Sequence, residues 1–184
     1  MIHTIPLLPE VTLRCFRDTR FKQEGLSLQF ICPMARETAA LNALLPAVLL
    51  RGCESAPDLR AITLKLDDLY GASVGTLVRR VGDYQTTGLY CGFMEDRFAM
   101  EGDAILAPML EFARQLLLEP VLEEGAFVRD YVESEKKNLI ATIESELNNK
   151  GAYAMNRMLR SMCRADSFGV PRLGTKEAVA AIDP

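Results

Sequence analysis

The sequence feature that most constrains the fold is segment 37–52, ETAALNALLPAVLLRG, which is apolar on nearly every helical face. A helix without a polar face is stable only when other parts of the protein surround it. Pro46 lies inside the segment and predicts a kink, because proline removes a backbone donor and clashes with the preceding turn. Gly52 is placed to end the helix. The rest of the chain must therefore supply layers that enclose this segment.

Four segments show the alternation of apolar and polar side chains that is typical of half-buried strands. They span residues 11–18, 26–34, 73–85 and 86–99. A short polar connection ending at Gly25 separates the first two, which predicts that they pair as an antiparallel hairpin. In the last segment Leu89, Cys91 and Phe93 form the apolar face.

Helical patterns account for most of the remaining sequence. They cover residues 58–72, 102–120, 125–151 and 152–164, with a short helix from Thr175. Asp103 is predicted to cap the second of these helices. The order ββ-αα-ββ-αααα predicts an α+β fold, with one mixed or antiparallel sheet and helices packed on one side of it. We expect a single domain over residues 1–184, and the closing helix-to-loop pattern predicts a fragment of a longer chain.

Charge and hydropathy exclude several classes of protein. The formal charge of −4 and the pI near 5.2 argue against a nucleic-acid or anionic-membrane surface, which needs clustered positive charge. The longest nearly apolar run, residues 39–50, is shorter than the ~20 residues that span a bilayer. The start of the sequence lacks a signal-peptide pattern, so we expect a cytoplasmic protein. Five scattered cysteines without a C-x-x-C pair predict reduced, mostly buried thiols.

Five short pieces, taken together in their order, carry a resemblance to a known family. They are RFKQEGLSLQF (20–30), LLRGC (49–53), LDDLYGAS (66–73), EKKNLIATI (135–143) and GVPRLGTKEAV (169–179). In this order and spacing they resemble the amino-terminal half of a pitrilysin/insulinase-type zinc peptidase of the bacterial peptidase-like branch. The resemblance covers essentially the whole chain, and it implies a longer protein of two related halves that enclose a chamber.

Active members of that family carry an inverted zinc motif, H-x-x-E-H, whose histidines ligate zinc and whose glutamate acts as general base. The resemblance places the two histidine positions at Ala43 and Ala47 and the base at Pro46. It places the later glutamate ligand at Thr142. The chain also has a single histidine, His3, so it cannot supply two histidine ligands. Zinc is expected in the family, but its ligands are missing here, and we expect neither a catalytic residue nor a metal site.

The resemblance implies a non-catalytic subunit that pairs with an active, zinc-bearing paralogue or with its own carboxyl-terminal half. In active relatives a substrate peptide adds as an extra strand to a sheet edge, through main-chain hydrogen bonds. Here that edge would include Gly75, Thr76, Leu77 and Val78. The other interpretation is that these residues form an ordinary sheet edge without a role in peptide binding.

Two other functions stay open at this point. One is an active zinc endopeptidase whose ligands are unusual or come from a partner chain, and the other is a plain protein-interaction module. Three methionines recur at helical spacing, Met155, Met158 and Met162, which indicates either core packing or a partner-facing helix.

Overall fold

The computed structural model describes residues 2–183 and has an α+β fold made of antiparallel strands and packed helices. The strands are β1 (Ile2–Leu8), β2 (Val11–Phe16), β3 (Gln23–Pro33), β4 (Ser73–Val81), β5 (Tyr84–Met94), β6 (Leu122–Glu123) and β7 (Ala126–Phe127). The α-helices are α1 (Ala39–Leu49), α2 (Leu59–Asp68), α3 (Leu106–Leu118), α4 (Arg129–Ser145), α5 (Lys150–Met162) and α6 (Lys176–Ala180). The predicted fold class is confirmed, although the strands divide among three sheets instead of one.

The main sheet has the order β3-β5-β4, with β5 in the centre and antiparallel to both neighbours. A two-residue turn at Gly82 and Asp83 joins β4 to β5. Gly82 has a φ of +59°, which glycine adopts without strain at the first central position of such a turn. The predicted strand 73–85 therefore ends at Val81, and its last residues belong to the turn and to β5.

The hairpin predicted between segments 11–18 and 26–34 is wrong. β2 pairs with β1, and β3 pairs with β5 along its whole length. The alternating pattern of β2 fits any neighbouring strand, and the connection of only two residues from β1 brings that strand closest. β3 instead places Leu26 and Leu28 against the helical core.

Helix α1 is enclosed as predicted, with most of its side chains buried and Leu41 half exposed. Leu44 and Val48 pack against Val132 of α4. Pro46 lies within the helix, which ends at Leu49. The predicted end at Gly52 is therefore too late.

Gly52 has a different role from the one that the sequence predicts. A Cβ atom at this position would lie 2.4 Å from the backbone oxygen of Pro57. The residue thus allows two backbone segments to approach each other closely.

The core lies between the main sheet and the helices. Leu89, Cys91 and Phe93 of β5 are buried against Met109 and Phe112 of α3, which confirms the apolar face predicted for β5. Burial raises the pKa of the Cys91 thiol to about 11, so this thiol stays protonated at neutral pH. The prediction of buried thiols holds for Cys91 and Cys53, whereas Cys15 is exposed.

The predicted cap of α3 is also wrong, because a more distant carboxylate takes that role. The helix begins at Leu106, and Asp96 Oδ1 accepts the N–H groups of Ile105 and Leu106, each at 2.8 Å. Asp103 instead accepts a hydrogen bond of 2.6 Å from the Tyr70 hydroxyl. These backbone donors hold the pKa of Asp96 below its usual value.

Replacing Asp96 by asparagine is expected to remove part of the acid sensitivity of the fold. A carboxylate with a depressed folded-state pKa stabilises the protein above its unfolded pKa of about 3.9, and this stabilisation is lost as pH falls through the folded value. Asparagine keeps an acceptor oxygen but does not titrate. In urea unfolding from pH 6 downwards, wild type should exceed Asp96→Asn in stability above about pH 4, with the difference closing below it. Glu10→Gln controls for a general charge effect, and a constant difference at all pH values would contradict the prediction.

Candidate functional site

The positions that the resemblance assigns to the zinc motif lie on the buried helix α1. Ala43 is only 5% exposed, Pro46 is fully buried and Ala47 is half-buried. Thr142 lies on α4, which packs beside α1, and its side chain is exposed. The structure thus brings together the two helices that carry these positions.

The residues present do not fit the zinc site that the resemblance implies. Neither alanine has an atom that can ligate a metal, and proline has no side-chain base. The Thr142 hydroxyl donates a hydrogen bond of 2.9 Å to the backbone oxygen of Asn138. Within residues 2–183, no group of three or more His, Cys, Asp or Glu side chains is arranged to hold a metal ion. His3 lies on β1, opposite Cys15 and exposed.

An ion pair that the sequence does not reveal ties the end of α1 to α4. Arg51 Nη1 lies 3.1 Å from Glu135 Oε1, and both side chains are largely buried. The guanidinium also lies over the ring of Tyr131, 5.1 Å from its centroid. The pair therefore links the two helices to which the resemblance assigns the zinc-motif positions.

The predicted peptide-binding edge lies on β4, which pairs with no strand other than β5 in the part of the chain that the structure describes. Residues that flank a two-residue hairpin turn form a hydrogen-bonded pair, and such pairs alternate along antiparallel strands. Since Val81 and Tyr84 flank the turn, Gly75 and Leu77 point their backbone groups toward β5. Thr76 and Val78 therefore point theirs away from the sheet.

The middle of this edge is accessible. The Thr76 side chain is exposed, and a Cβ atom added at Gly75 would have no other atom within 4 Å. Leu77, in contrast, is buried. The predicted four residues thus divide into two that hold the strand in the sheet and two that present backbone donors and acceptors outward.

One end of the edge is closed by the segment 167–172. Arg172 Nη1 donates a hydrogen bond of 3.0 Å to the backbone oxygen of Val78, which shows that this carbonyl points away from β5. Arg80 donates to the backbone oxygens of Phe168, at 2.6 Å, and of Val170. Its guanidinium also lies 5.0 Å from the centroid of the Phe168 ring. Sequence patterns point to neither arginine, because their partners lie 87 to 94 positions away along the chain.

A buried glutamine holds this segment in place. Gln85 is fully buried on β5, and its Nε2 donates to the backbone oxygens of Ala39, at 3.0 Å, and Arg172, at 2.7 Å. Its Oε1 accepts a hydrogen bond of 3.0 Å from Asn42. The side chain thus connects the central strand, α1 and the backbone of Arg172. Sequence patterns missed this role of Gln85, and a polar residue within a strand is the signal that could have indicated it.

A cavity of about 510 Å³ lies beside this end of the edge, between α4, α5 and the segment 167–174. Its apolar wall includes Ile143, Leu159 and Leu173. Its polar wall includes Thr142 and three arginines, of which Arg160 pairs with Glu146 at 3.1 Å. Those arginines are Arg80, Arg160 and Arg172. Thr142, the position on α4 that the resemblance assigns to a zinc ligand, therefore faces the same space as the closed end of β4.

Protein-family models give no match to the chain. The chain is 28% identical over 160 residues to the probable inactive metalloprotease YmfF of Bacillus subtilis (strain 168), covering 87% of this chain and 38% of that protein. It thus spans about two fifths of the length of this relative.

Solved structures share the fold, among them the following two. A conserved protein from Enterococcus faecalis V583 superposes with a TM-score of 0.89 at 24% identity, covering 98% of this chain and 43% of its own. The inactive domain of an M16 peptidase from Pseudomonas fluorescens gives a TM-score of 0.69 at 16% identity, covering 100% of this chain and 41% of its own. Within residues 2–183, no helix is long and apolar enough to cross a membrane.

Proposed function

We propose that this chain, an inactive M16-like peptidase half of the pitrilysin/insulinase type, is a non-catalytic unit that holds peptide substrate along the edge of β4. It would complete a processing chamber together with an active, zinc-bearing paralogue or with the carboxyl-terminal half of its own longer chain. The observation that carries the proposal is the contrast between two sites. The zinc-motif positions have no ligating atoms, whereas the neighbouring strand edge keeps outward-facing backbone groups.

Binding at a strand edge needs no particular side chain. Main-chain hydrogen bonds supply the affinity when an extended peptide adds to a sheet, and pockets for alternate side chains supply the specificity. Loss of the histidines and the glutamate therefore leaves this mode of binding intact. The accessible stretch around Thr76 and the cavity beside it are the features that support it.

Two exposed apolar surfaces support the presence of a pairing partner. Every residue of β1 and β2 is exposed, including Ile2, Leu8 and Phe16, and a two-stranded ribbon is marginally stable by itself. Three methionines of α5 are also exposed, Met155, Met158 and Met162, so the structure favours a partner-facing helix over core packing. Exposed apolar surfaces of this kind are typical of interfaces. We propose that the protein acts in the bacterial cytoplasm, as expected from the sequence.

Replacing Thr76 by proline is expected to abolish peptide binding while the fold stays intact. Proline removes the outward N–H of residue 76 and leaves the hydrogen bonds between β4 and β5 in place, which is why edge strands tolerate it. Gly75 precedes it and has no Cβ atom to clash with the proline ring. The measurement is the fluorescence anisotropy of short labelled peptides of serine, threonine and valine, with circular dichroism as the check on folding. We expect at least about a tenfold loss of affinity.

Two variants serve as matched controls for this experiment. Thr76→Val keeps the backbone N–H and should bind as wild type does. Leu77→Pro removes an N–H that faces β5 and should destabilise the sheet. Unchanged peptide binding by a folded Thr76→Pro protein would overturn the proposed binding edge.

A further inference from the structure

We infer that Arg172 ends the peptide-binding edge of β4 and selects peptides that place a carboxylate at that point. The inference rests on the proposed peptide-holding function and adds a chemical class of ligand to it. The carboxylate can come from an aspartate or glutamate side chain or from the carboxyl terminus of the peptide.

The position of the Arg172 guanidinium limits how far a peptide can run along β4. A peptide that adds to β4 would use the outward backbone groups of alternate residues, namely Val74, Thr76 and Val78. Arg172 already donates to the Val78 oxygen, so its guanidinium stands where a peptide N–H would bond to this acceptor. An added strand can therefore run along Val74 and Thr76, and it meets the guanidinium where it would reach Val78.

The positive charge of Arg172 and of the adjoining cavity wall favours a carboxylate at this point. A guanidinium has five N–H donors in a planar fork that matches a carboxylate. The bond to Val78 uses one donor of Arg172, whose side chain is exposed. Two further arginines and one glutamate line the adjoining cavity, so its wall has an excess of positive charge in a chain with a net charge of −4. That glutamate, Glu146, is already paired with Arg160, and Arg80 donates to the backbone oxygens of segment 167–172. Arg172 is therefore the arginine that faces an incoming peptide.

The segment that carries the Arg172 guanidinium is held in place before a peptide binds. The buried Gln85 side chain holds the backbone oxygen of Arg172 at 2.7 Å, and a turn bond of 3.0 Å from the Gly174 N–H to the Pro171 oxygen fixes the following residues. The guanidinium is thus in place before a ligand arrives, which reduces the entropy cost of binding. Beyond it, the apolar wall of the cavity at Ile143, Leu159 and Leu173 can receive a neighbouring side chain.

The experiment compares short serine/threonine/valine peptides in matched forms. One form is uncharged and ends in an amide, the second ends in a free carboxylate, and the third ends in an amide but contains one glutamate, placed in turn at each position. We expect at least one carboxylate-bearing form to bind wild-type protein about tenfold more tightly than the uncharged form. This difference in affinity should become smaller at high salt. The form that gains affinity identifies the source of the carboxylate.

Arg172→Gln should remove this preference, so that the carboxylate-bearing and uncharged forms bind this variant within about twofold of each other. Arg172→Lys keeps the charge without the fork and should retain part of the preference. Arg79→Gln is the control, because Arg79 is an exposed arginine of β4, the strand that would bind the peptide. An equal loss in Arg79→Gln and Arg172→Gln would mean general charge attraction and would overturn the inference.

The failures of this inference and of the proposed function can be told apart. If Thr76→Pro abolishes binding of every peptide form but wild type shows no carboxylate preference, the binding edge stands and the role of Arg172 is wrong. If Thr76→Pro binds all forms as wild type does, the binding edge is wrong and the inference about Arg172 is overturned with it.

Discussion

Replacing Gln85 by leucine is expected to lower the free energy of unfolding by about 3 kcal/mol, because the change leaves several buried polar groups unsatisfied. The backbone oxygens of Ala39 and Arg172 lose the hydrogen bonds from Gln85, and the Asn42 amide loses its acceptor. Leucine has a similar volume, so the loss reports on hydrogen bonds and not on a cavity. Urea unfolding followed by circular dichroism measures the effect.

Gln29→Leu provides the control on a neighbouring strand. Gln29 is exposed on β3 and bonds only locally, with its Nε2 donating to Ser27 Oγ at 2.7 Å. Its replacement should change the free energy of unfolding by less than about 0.5 kcal/mol. Equal effects of the two substitutions would show that the Gln85 network does not hold the segment around Arg172.

Restoring the zinc motif, with Ala43→His, Pro46→Glu and Ala47→His combined, is expected to destabilise the protein without creating a peptidase. Overpacking at a buried alanine costs ~1–3 kcal/mol, and Ala43 is almost fully buried. A glutamate at the buried position of Pro46 adds a desolvation cost, although loss of the proline restores a backbone donor. The position that the resemblance assigns to the third ligand still holds Thr142, and ligand geometry depends on surrounding groups as well. The melting temperature should therefore fall, and zinc should not bind tightly.

Leu41→His is the control, since Leu41 is half exposed on the same helix and should tolerate the histidine. The measurements are thermal unfolding, zinc content after dialysis and hydrolysis of casein. A triple variant that melts higher and keeps one equivalent of zinc would contradict the prediction. Zinc retained in equal amount by the wild-type protein would favour the alternative of an active peptidase with unusual or partner-supplied ligands.

Sequence patterns predicted those parts of the fold that depend on neighbouring residues. The apolar run of α1, the alternation of β5 at Leu89 and Cys91, and the start of α6 after Thr175 all follow from local spacing, and the structure confirms them. The resemblance to the inactive zinc-peptidase type rested on the order of short motifs and is supported by the relatives. The partners of β2 and β3 were wrong because alternation specifies a face of a strand but not its neighbour.

The candidate site was predictable only in part, because local sequence patterns do not specify contacts between distant residues. The resemblance led to Gly75 and Thr76, and the register then decides which backbone groups face outward. Gln85 and Arg172 were missed because their roles depend on contacts between residues far apart in the sequence. The assignment of Ala43 to a former zinc ligand stays a prediction.

The contact between Gln85 and Arg172 joins residues 87 positions apart, and this separation has a consequence during protein synthesis. The ribosome releases β4 and β5 well before residue 172, and their two-residue turn lets them form a hairpin without it. The segment that closes one end of β4 is made much later. We therefore expect the nascent chain to expose a longer open edge than the finished protein, at the stage when unpaired edges are most prone to aggregation. Chaperones that bind extended segments would find their target on β4 during this interval.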